Sequence, residues 1–132
     1  MLATGTYILQ GGISVSGQAN LSSQSGAPGT SQGVLLYVTG GSINFSGQGY
    51  VSLAPLSNPS PYPVIAPNLG IWQDKSDTKP VIIAGNASGN IYSGTIYAPT
   101  ASVGGSGNGS YTAGSVIASS LTCSGNGTET IG

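Results

Sequence analysis

The chain has 132 residues, of which 2 are Lys or Arg and 3 are Asp or Glu, with no His, one Cys, one Trp and 23 Gly. About a quarter of an average protein is charged, so the 4% here leaves few groups to shuttle protons, hold metals or grip phosphates. With no Arg and a net charge of −1 there is no basic footprint for nucleic acid or anionic lipid, and neither partner is expected.

The start, Met1-Leu2-Ala3-Thr4-Gly5-Thr6-Tyr7, carries neither the basic region nor the long apolar stretch of a secretory signal. The reading is one domain over 1–132, a fragment or the mature part of a longer surface protein whose signal or anchor lies elsewhere. Gly5-Thr6-Tyr7-Ile8-Leu9 reads as a first short strand. Ile13-Ser14-Val15-Ser16-Gly17-Gln18 follows as a second strand closed by a glycine corner. Ser23 to Gln32, with Ala27-Pro28-Gly29, is a Gly/Ser loop.

The pair then recurs. Gly33-Val34-Leu35-Leu36-Tyr37 precedes Ile43-Asn44-Phe45-Ser46-Gly47-Gln48, and Gly70-Ile71-Trp72 precedes Val81-Ile82-Ile83-Ala84-Gly85-Asn86. Gly94-Thr95-Ile96-Tyr97 precedes Val103-Gly104-Gly105-Ser106-Gly107-Asn108, and Gly114-Ser115-Val116-Ile117 precedes Leu121-Thr122-Cys123-Ser124-Gly125-Asn126. The spacing within a pair hardly changes while the spacing between pairs does, which is what loops inserted at one corner of a solenoid produce.

These five pairs predict an all-β fold, a parallel β-helix of about five coils. Right-handed winding is the usual outcome for parallel crossovers. Period-2 alternation sends Ile13 and Val15, or Ile43 and Phe45, to one side, where neighbouring coils stack. Gln18, Gln48, Asn86, Asn108 and Asn126 follow the corner glycines and are expected to form a ladder of side-chain amides, as in cross-β stacks. Gly, Ser, Thr and Pro interrupt every window long enough for a helix. The regular apolar and aromatic residues argue against disorder, and no apolar run approaches the ~20 residues of a bilayer span.

Residues 54–68 carry Pro55, Pro59, Pro61, Pro63 and Pro67. This Pro-rich insertion must leave the ladder, because proline cannot donate to it, and an extended path along the outside is expected.

The stretches Gly5-Thr6-Tyr7-Ile8-Leu9-Gln10-Gly11-Gly12-Ile13-Ser14-Val15-Ser16-Gly17, Leu36-Tyr37-Val38-Thr39-Gly40-Gly41, Gly70-Ile71-Trp72-Gln73-Asp74 and Gly94-Thr95-Ile96-Tyr97-Ala98-Pro99, in that order, resemble the C-terminal β-helical region of TadG-like, Flp-type pilus-assembly proteins and related bacterial envelope proteins. The resemblance implies a domain on the cell surface or outside it, anchored in full-length relatives by an N-terminal membrane segment absent here. It supplies no catalytic residues, and the Pro-rich insertion departs from the shorter loop of that pattern.

Carbohydrate-active β-helices need clustered carboxylates, whereas the acids here are Asp74, Asp77 and Glu129. Asp74-Lys75-Ser76-Asp77-Thr78-Lys79 is the one charge cluster. It reads as a solvated turn with compensated charge, with a weak cation site or a sugar-contacting loop as the sharper alternative. Without His there is no Ser-His pair, and a Ser-Lys arrangement would need Lys75 or Lys79 buried. Gly104-Gly105-Ser106-Gly107-Asn108-Gly109 lacks the Lys and the following helix of a phosphate loop. No catalytic residue, metal or cofactor is expected.

Cys123 aligns with Val15, Phe45, Ile83 and Gly105 and is expected to face inward as a small residue. Tyr7, Tyr37, Trp72 and Tyr97 are expected to share one repeat register as stacked strand residues. The alternative is a sugar-stacking stripe of Tyr7, Tyr37, Trp72, Tyr92, Tyr97 and Tyr111, with Trp72, Tyr97 and Asp74 as the ligand contacts. Asn20, Asn44, Asn86, Asn108 and Asn126 each begin an Asn-X-Ser/Thr sequon, a pattern so Ser/Thr-rich a chain also produces by chance.

The functional expectation is a non-catalytic structural or adhesive solenoid outside the cell. Its partners would be other copies of itself, stacked head to tail into a filament, or other envelope proteins, with no membrane contact by this segment. A carbohydrate-binding module acting on a polysaccharide is the alternative, and an enzyme ranks third.

Overall fold

The computed structural model describes residues 1–23, 33–55, 69–85 and 90–132. All but the first residue of the Ser23–Gln32 loop, Asn86 and all but the start of the Pro-rich insertion therefore lie outside the described residues. Among the described residues the chain is all-β, with no helix and eleven strands in one sheet. They are β1 (Gly5–Leu9), β2 (Ile13–Val15), β3 (Leu21–Ser22), β4 (Val34–Val38), β5 (Ile43–Phe45), β6 (Val51–Leu53), β7 (Leu69–Gln73), β8 (Val81–Gly85), β9 (Asn90–Gly107), β10 (Tyr111–Cys123) and β11 (Glu129–Ile131). Every strand pairing is parallel.

The pairings sort into three ladders. The first runs β1, β4, β7, then the 95–98 part of β9 and the 115–118 part of β10. The second runs β2, β5, β8, then 103–107 of β9 and 120–123 of β10, so that Ile13, Ile43, Val81, Val103 and Leu121 are successive partners. These two ladders are the two repeated units of the sequence, in the expected order. A third, not anticipated from the sequence, runs β3, β6, the 90–92 part of β9, the 111–113 part of β10, and β11. The long strands β9 and β10 each serve more than one ladder, with register shifts between Ala113 and Ser115 and between Ala118 and Ser120.

Alternation along β5 and β6 shows how the core is filled, while β4 also buries Leu35 between Val34 and Leu36. In β5 and β6 the outer two residues are buried and the middle one is not, which puts one face against the interior and one toward solvent. Val34, Leu36, Val38, Ile43, Phe45, Val51, Leu53, Ile71, Val81, Ile83, Ile96 and Val103 form one apolar cluster with Tyr92 and Tyr111. Phe45 stacks on Tyr92 at 5.7 Å between ring centroids, and Tyr92 meets Tyr111 edge-on at 6.1 Å. Burial is deepest in the middle rungs, which have neighbours on both sides. In the first rung Tyr7, Leu9, Ile13 and Val15 are only partly buried, and in the last Leu121 and Ile131 are exposed.

Tyr92 is buried and its hydroxyl has no hydrogen-bond partner, and this burial pushes its pKa far above the usual range. A buried hydroxyl without a partner retains its desolvation cost. Tyr92→Phe is therefore expected to stabilise the chain by about 1 kcal/mol, read as a higher urea midpoint. A lower midpoint would mean that the hydroxyl does have a partner.

Candidate functional site

Because β1, β4, β7, β9 and β10 stack in register, one outward column crosses all five rungs of the first ladder: Ile8, Tyr37, Trp72, Tyr97 and Ile117. Tyr7 does not belong to it. Gly5 pairs with Val34 rather than Gly33, so Tyr7 stands opposite Leu36, and a one-residue change of register exchanges the two faces of a strand. Ile8, 62% exposed, takes the place expected for Tyr7, and Ile117 at 49% closes the other end. The column is thus aromatic in its middle and aliphatic at both ends.

Tyr37 and Trp72 are in direct ring contact, 4.4 Å between centroids at 33°. The Tyr37 hydroxyl donates to Asp74 Oδ2 at 2.7 Å, while Asp74 Oδ1 accepts the Ser76 amide at 2.9 Å and the Ser76 hydroxyl at 2.7 Å. These bonds favour the ionised carboxylate: the Ser76 amide first, then Tyr37 and the Ser76 hydroxyl, pull the Asp74 pKa down to about 2. The same Tyr37–Asp74 bond raises the Tyr37 pKa. Trp72 and Asp74 thus lie at one corner with Tyr37, which the sequence reading placed in the aromatic stripe but not among the ligand contacts, whereas Tyr92 and Tyr111 of that stripe are buried in the core. Tyr97 joins through the next rung as the partner of Trp72.

Since the Asp74 pKa is depressed relative to its ordinary value, its stabilising contribution is present above about pH 4 and is lost as pH falls toward 2. Tyr37→Phe removes one of the three donors. The expected result, read by NMR titration of the Asp74 carboxyl, is a midpoint moved up from near 2, with the Ser76 bonds holding it below the ordinary value. An unmoved midpoint would show that Tyr37 contributes nothing.

The expected amide ladder finds no side-chain hydrogen bonds among the described residues. Gln18, Gln48, Asn108 and Asn126 are exposed, and backbone holds this corner instead. The Gln48 amide donates to the Gly17 carbonyl at 2.6 Å, and the Asn126 amide to the Gly107 carbonyl at 3.0 Å. Polar side chains do join rungs elsewhere. Asn20 Oδ1 accepts the Tyr50 amide at 3.0 Å, Ser23 Oγ accepts the Ala54 amide at 3.0 Å, and the Thr95 and Ser115 hydroxyls share a bond at 2.7 Å.

Cys123 keeps its predicted register, opposite Gly105, but it is exposed rather than an enclosed core residue. The reason is position: it stands in the last rung, where the described residues lay nothing over it. Its thiol donates to Glu129 Oε2, which the Tyr111 hydroxyl also approaches at 3.4 Å. The bond to Glu129, some burial and the carboxylate's charge raise the thiol pKa, so the nucleophilic thiolate is disfavoured. Burial, then the charges of Glu129 and Cys123, push Tyr111 up to about 12. Glu129 fills room left by Gly105, where a Cβ would collide with its carboxylate. The cavity beside it, lined by Ile83, Gly105, Tyr111, Ser124 and Glu129, measures about 10 Å³, room for about one water.

Among the described residues no group of three or more His, Cys, Asp and Glu side chains is placed to hold a metal ion. No helix long and apolar enough to cross a membrane occurs among them. No protein-family model, no curated protein and no solved structure matches the chain.

Proposed function

We propose that the chain is a three-sided parallel β-helix of five coils, with a non-catalytic structural and adhesive role on the outside of a bacterial envelope, and that its coils stack end to end between molecules. The observation that carries this reading is the set of three parallel ladders, each crossed by five successive segments of the chain. One turn through the three ladders is one coil.

Such a stack has two open sides among the described residues, β1 with β2 and β3 on one, and β10 with β11 on the other. An unpaired strand edge is a template for another strand. Whatever pairs there must be a parallel rung with the same three-sided spacing, and a second copy of the chain presents one. A contact of this heterologous kind extends without closing. The low charge and Ser/Thr/Asn/Gly-rich sequence, together with the resemblance to TadG-like envelope proteins, support the extracellular setting.

The test is negative-stain electron microscopy with light-scattering mass over a concentration series. Rods of constant width and a mass that grows with concentration are expected. A constant monomer mass at high concentration would overturn end-to-end stacking.

A second reading, a carbohydrate-binding surface, is favoured by the outward column Ile8, Tyr37, Trp72, Tyr97 and Ile117 with Asp74 fixed beside it. Flat aromatic faces beside a hydrogen-bonding group suit a neutral polysaccharide lying across the rungs. Trp72 fluorescence titrated with neutral and acidic polysaccharides should then saturate, and Trp72→Ala should bind at least tenfold more weakly in a pull-down on the same polymer. Flat titrations with both classes would dismiss this reading.

A further inference from the structure

The third ladder holds one more segment than the other two. One of its columns runs from Ile131 to Ala113, Tyr92 and Leu53. It continues to Ser23, which follows the Ser22–Ser52 pair and donates its amide to the Ser52 carbonyl at 3.0 Å. It does not stop there. Leu2 pairs in parallel with Ser23, the Leu2 amide donates to the Ser22 carbonyl at 2.7 Å, and the partly buried Leu2 side chain packs on the core. Among the described residues the third ladder therefore has six segments, from 1–3 to 129–131. The first and second have five each, from 5–9 to 115–118 and from 13–15 to 120–123.

This difference restricts how two copies can meet end to end, because a neighbour is shifted along the axis by one distance that all three ladders share. A shift of five strand spacings, roughly 24 Å in total, sets 5–9 of one copy against 115–118 of the next and 13–15 against 120–123. The columns of the core then run on across the junction, Tyr7 after Val116 and Ile13 after Leu121, in the register used inside the molecule. The junction thus continues the rung-to-rung contact that already builds the chain. The same shift brings 129–131 of one copy to the place that 1–3 of the other already holds. A shift of six spacings, roughly 29 Å, keeps both segments but leaves a rung missing from the first and second ladders. Strand edges there stay unpaired, and Leu121, 43% exposed in the single chain, stays uncovered.

One segment must yield, and the two are held unequally. Residues 1–3 rest on the Leu2–Ser23 bridge and on one exposed contact, the Tyr7 hydroxyl donating to the Ala3 carbonyl at 2.7 Å, and Met1 is 84% exposed. β11 makes three register pairs with β10. It is flanked by bonds from the Tyr111 amide to the Thr128 carbonyl and from the Gly132 amide to the Ala113 carbonyl, both at 3.1 Å, and its Glu129 carboxylate accepts the Cys123 thiol. Ile131 also stands in the same column as Leu2. A stacked neighbour therefore brings one aliphatic side chain to the place over Ser23 that another leaves.

We propose that residues 1–3 are a displaceable cap: they cover the third-ladder edge of a free molecule, and β11 of a second copy takes their place on stacking. The docking surface is the first rung, β1 and β2 with the edge of β3 beneath Leu2, and its partner is the β10–β11 rung of another copy of the chain. The inference rests on the end-to-end stacking proposed above and adds its register, its repeat and the segment that controls it.

Each segment can be locked in turn, in a Cys123→Ser background. Neighbouring strands lie within the Cα separation that a disulfide spans, so Leu2→Cys/Ser23→Cys fixes the cap and Thr112→Cys/Thr130→Cys fixes β11. The oxidised Leu2→Cys/Ser23→Cys chain should keep a monomer mass by light scattering at concentrations where its reduced form gives rods. The Thr112→Cys/Thr130→Cys chain should give rods in both states. Independently of any variant, helical reconstruction of rods of the unaltered chain should give a rise of about 24 Å per molecule. Rods from the oxidised Leu2→Cys/Ser23→Cys chain, loss of rods on oxidising the other, or a rise of about 29 Å would each overturn the cap and leave stacking in place. Absence of rods from the unaltered chain and from both reduced variants would overturn stacking itself, and the cap with it.

Discussion

Replacing Phe45 with alanine is expected to lower the unfolding free energy by about 3–5 kcal/mol, the range for removing a large buried aromatic. Phe45 is 2% exposed and is one of the largest fully enclosed side chains in the molecule. It lies in the column Val15, Phe45, Ile83, Gly105 and Cys123 and stacks on Tyr92 from the third ladder. Its loss therefore weakens contacts both along the stack and across the interior, and parallel rungs on either side limit how far the cavity can collapse. Ser14→Ala, in the neighbouring rung beside Val15, the partner of Phe45, but exposed to solvent, should change stability by no more than about 0.5 kcal/mol. Urea midpoints with unchanged slopes provide the comparison. Equal effects of the two substitutions would contradict the assignment of faces.

Gly47→Ala is expected to be comparably damaging although it adds one carbon at a corner rather than removing one from the core. Gly47 has φ +104°, a conformation costly to residues with a Cβ, of order 1–3 kcal/mol. Its Cβ would also collide with the carbonyl oxygen of Gly17 in the rung below. That oxygen accepts the Gln48 amide, so relieving the collision also disturbs a bond that holds the rungs at their spacing. We expect a loss of at least 2 kcal/mol by the same urea measurement. Gly11→Ala, where φ is not positive and nothing lies near the added carbon, should be close to neutral. A tolerated Gly47→Ala would mean that the rungs are farther apart at this corner.

Much of the ladder arrangement was legible in the sequence because two signals coincide. Apolar residues alternate over short strands, and a glycine follows at a fixed offset, so Ile13, Ile43, Val81, Val103 and Leu121 could be aligned by eye and are successive partners. The third ladder escaped because its rungs share no residue type: Leu21-Ser22, Val51-Ser52-Leu53 and Glu129-Thr130-Ile131 look unrelated. Spacing could have found it, since Leu21, Val51, Tyr111 and Glu129 each stand six residues beyond Val15, Phe45, Gly105 and Cys123. The misplacement of Tyr7 has the opposite origin. Gly5 and Gly33 look alike, but each occupies its own place in the pairing, with Gly5 opposite Val34, and identity of residue outweighed parity of face.

The site was legible in part for a similar reason. Trp72 and Asp74 were singled out as an aromatic and a charge, and they do meet at one corner through Tyr37. Asp77 entered only as part of a charge cluster read as a solvated turn, and Gln73 was given no role, because nothing in a polar turn announces that both are buried. That follows from Gln73 taking an inward place at the end of β7 and tying the next loop to itself. The amide residues failed as a ladder for a geometric reason. At the glycine corner the backbones approach closely enough to bond directly, which leaves Gln48 and Asn126 side chains outside.

The most direct measurement of the central claim, that the three ladders wind as one stack of coils, is a set of spin-label distances along each ladder in a Cys123→Ser background. In the second ladder, labels at Ser14 and Thr122 mark the outward places of the first and last rungs. Four steps of about 4.8 Å place their backbones roughly 19 Å apart. Labels at Ile8 and Ile117 on the first ladder, and at Ser22 and Thr130 on the third, should give the same separation, because all three ladders advance together. Equal distances on the three ladders are the predicted result. A separation on any one ladder that differs by more than a rung from the other two would contradict the solenoid.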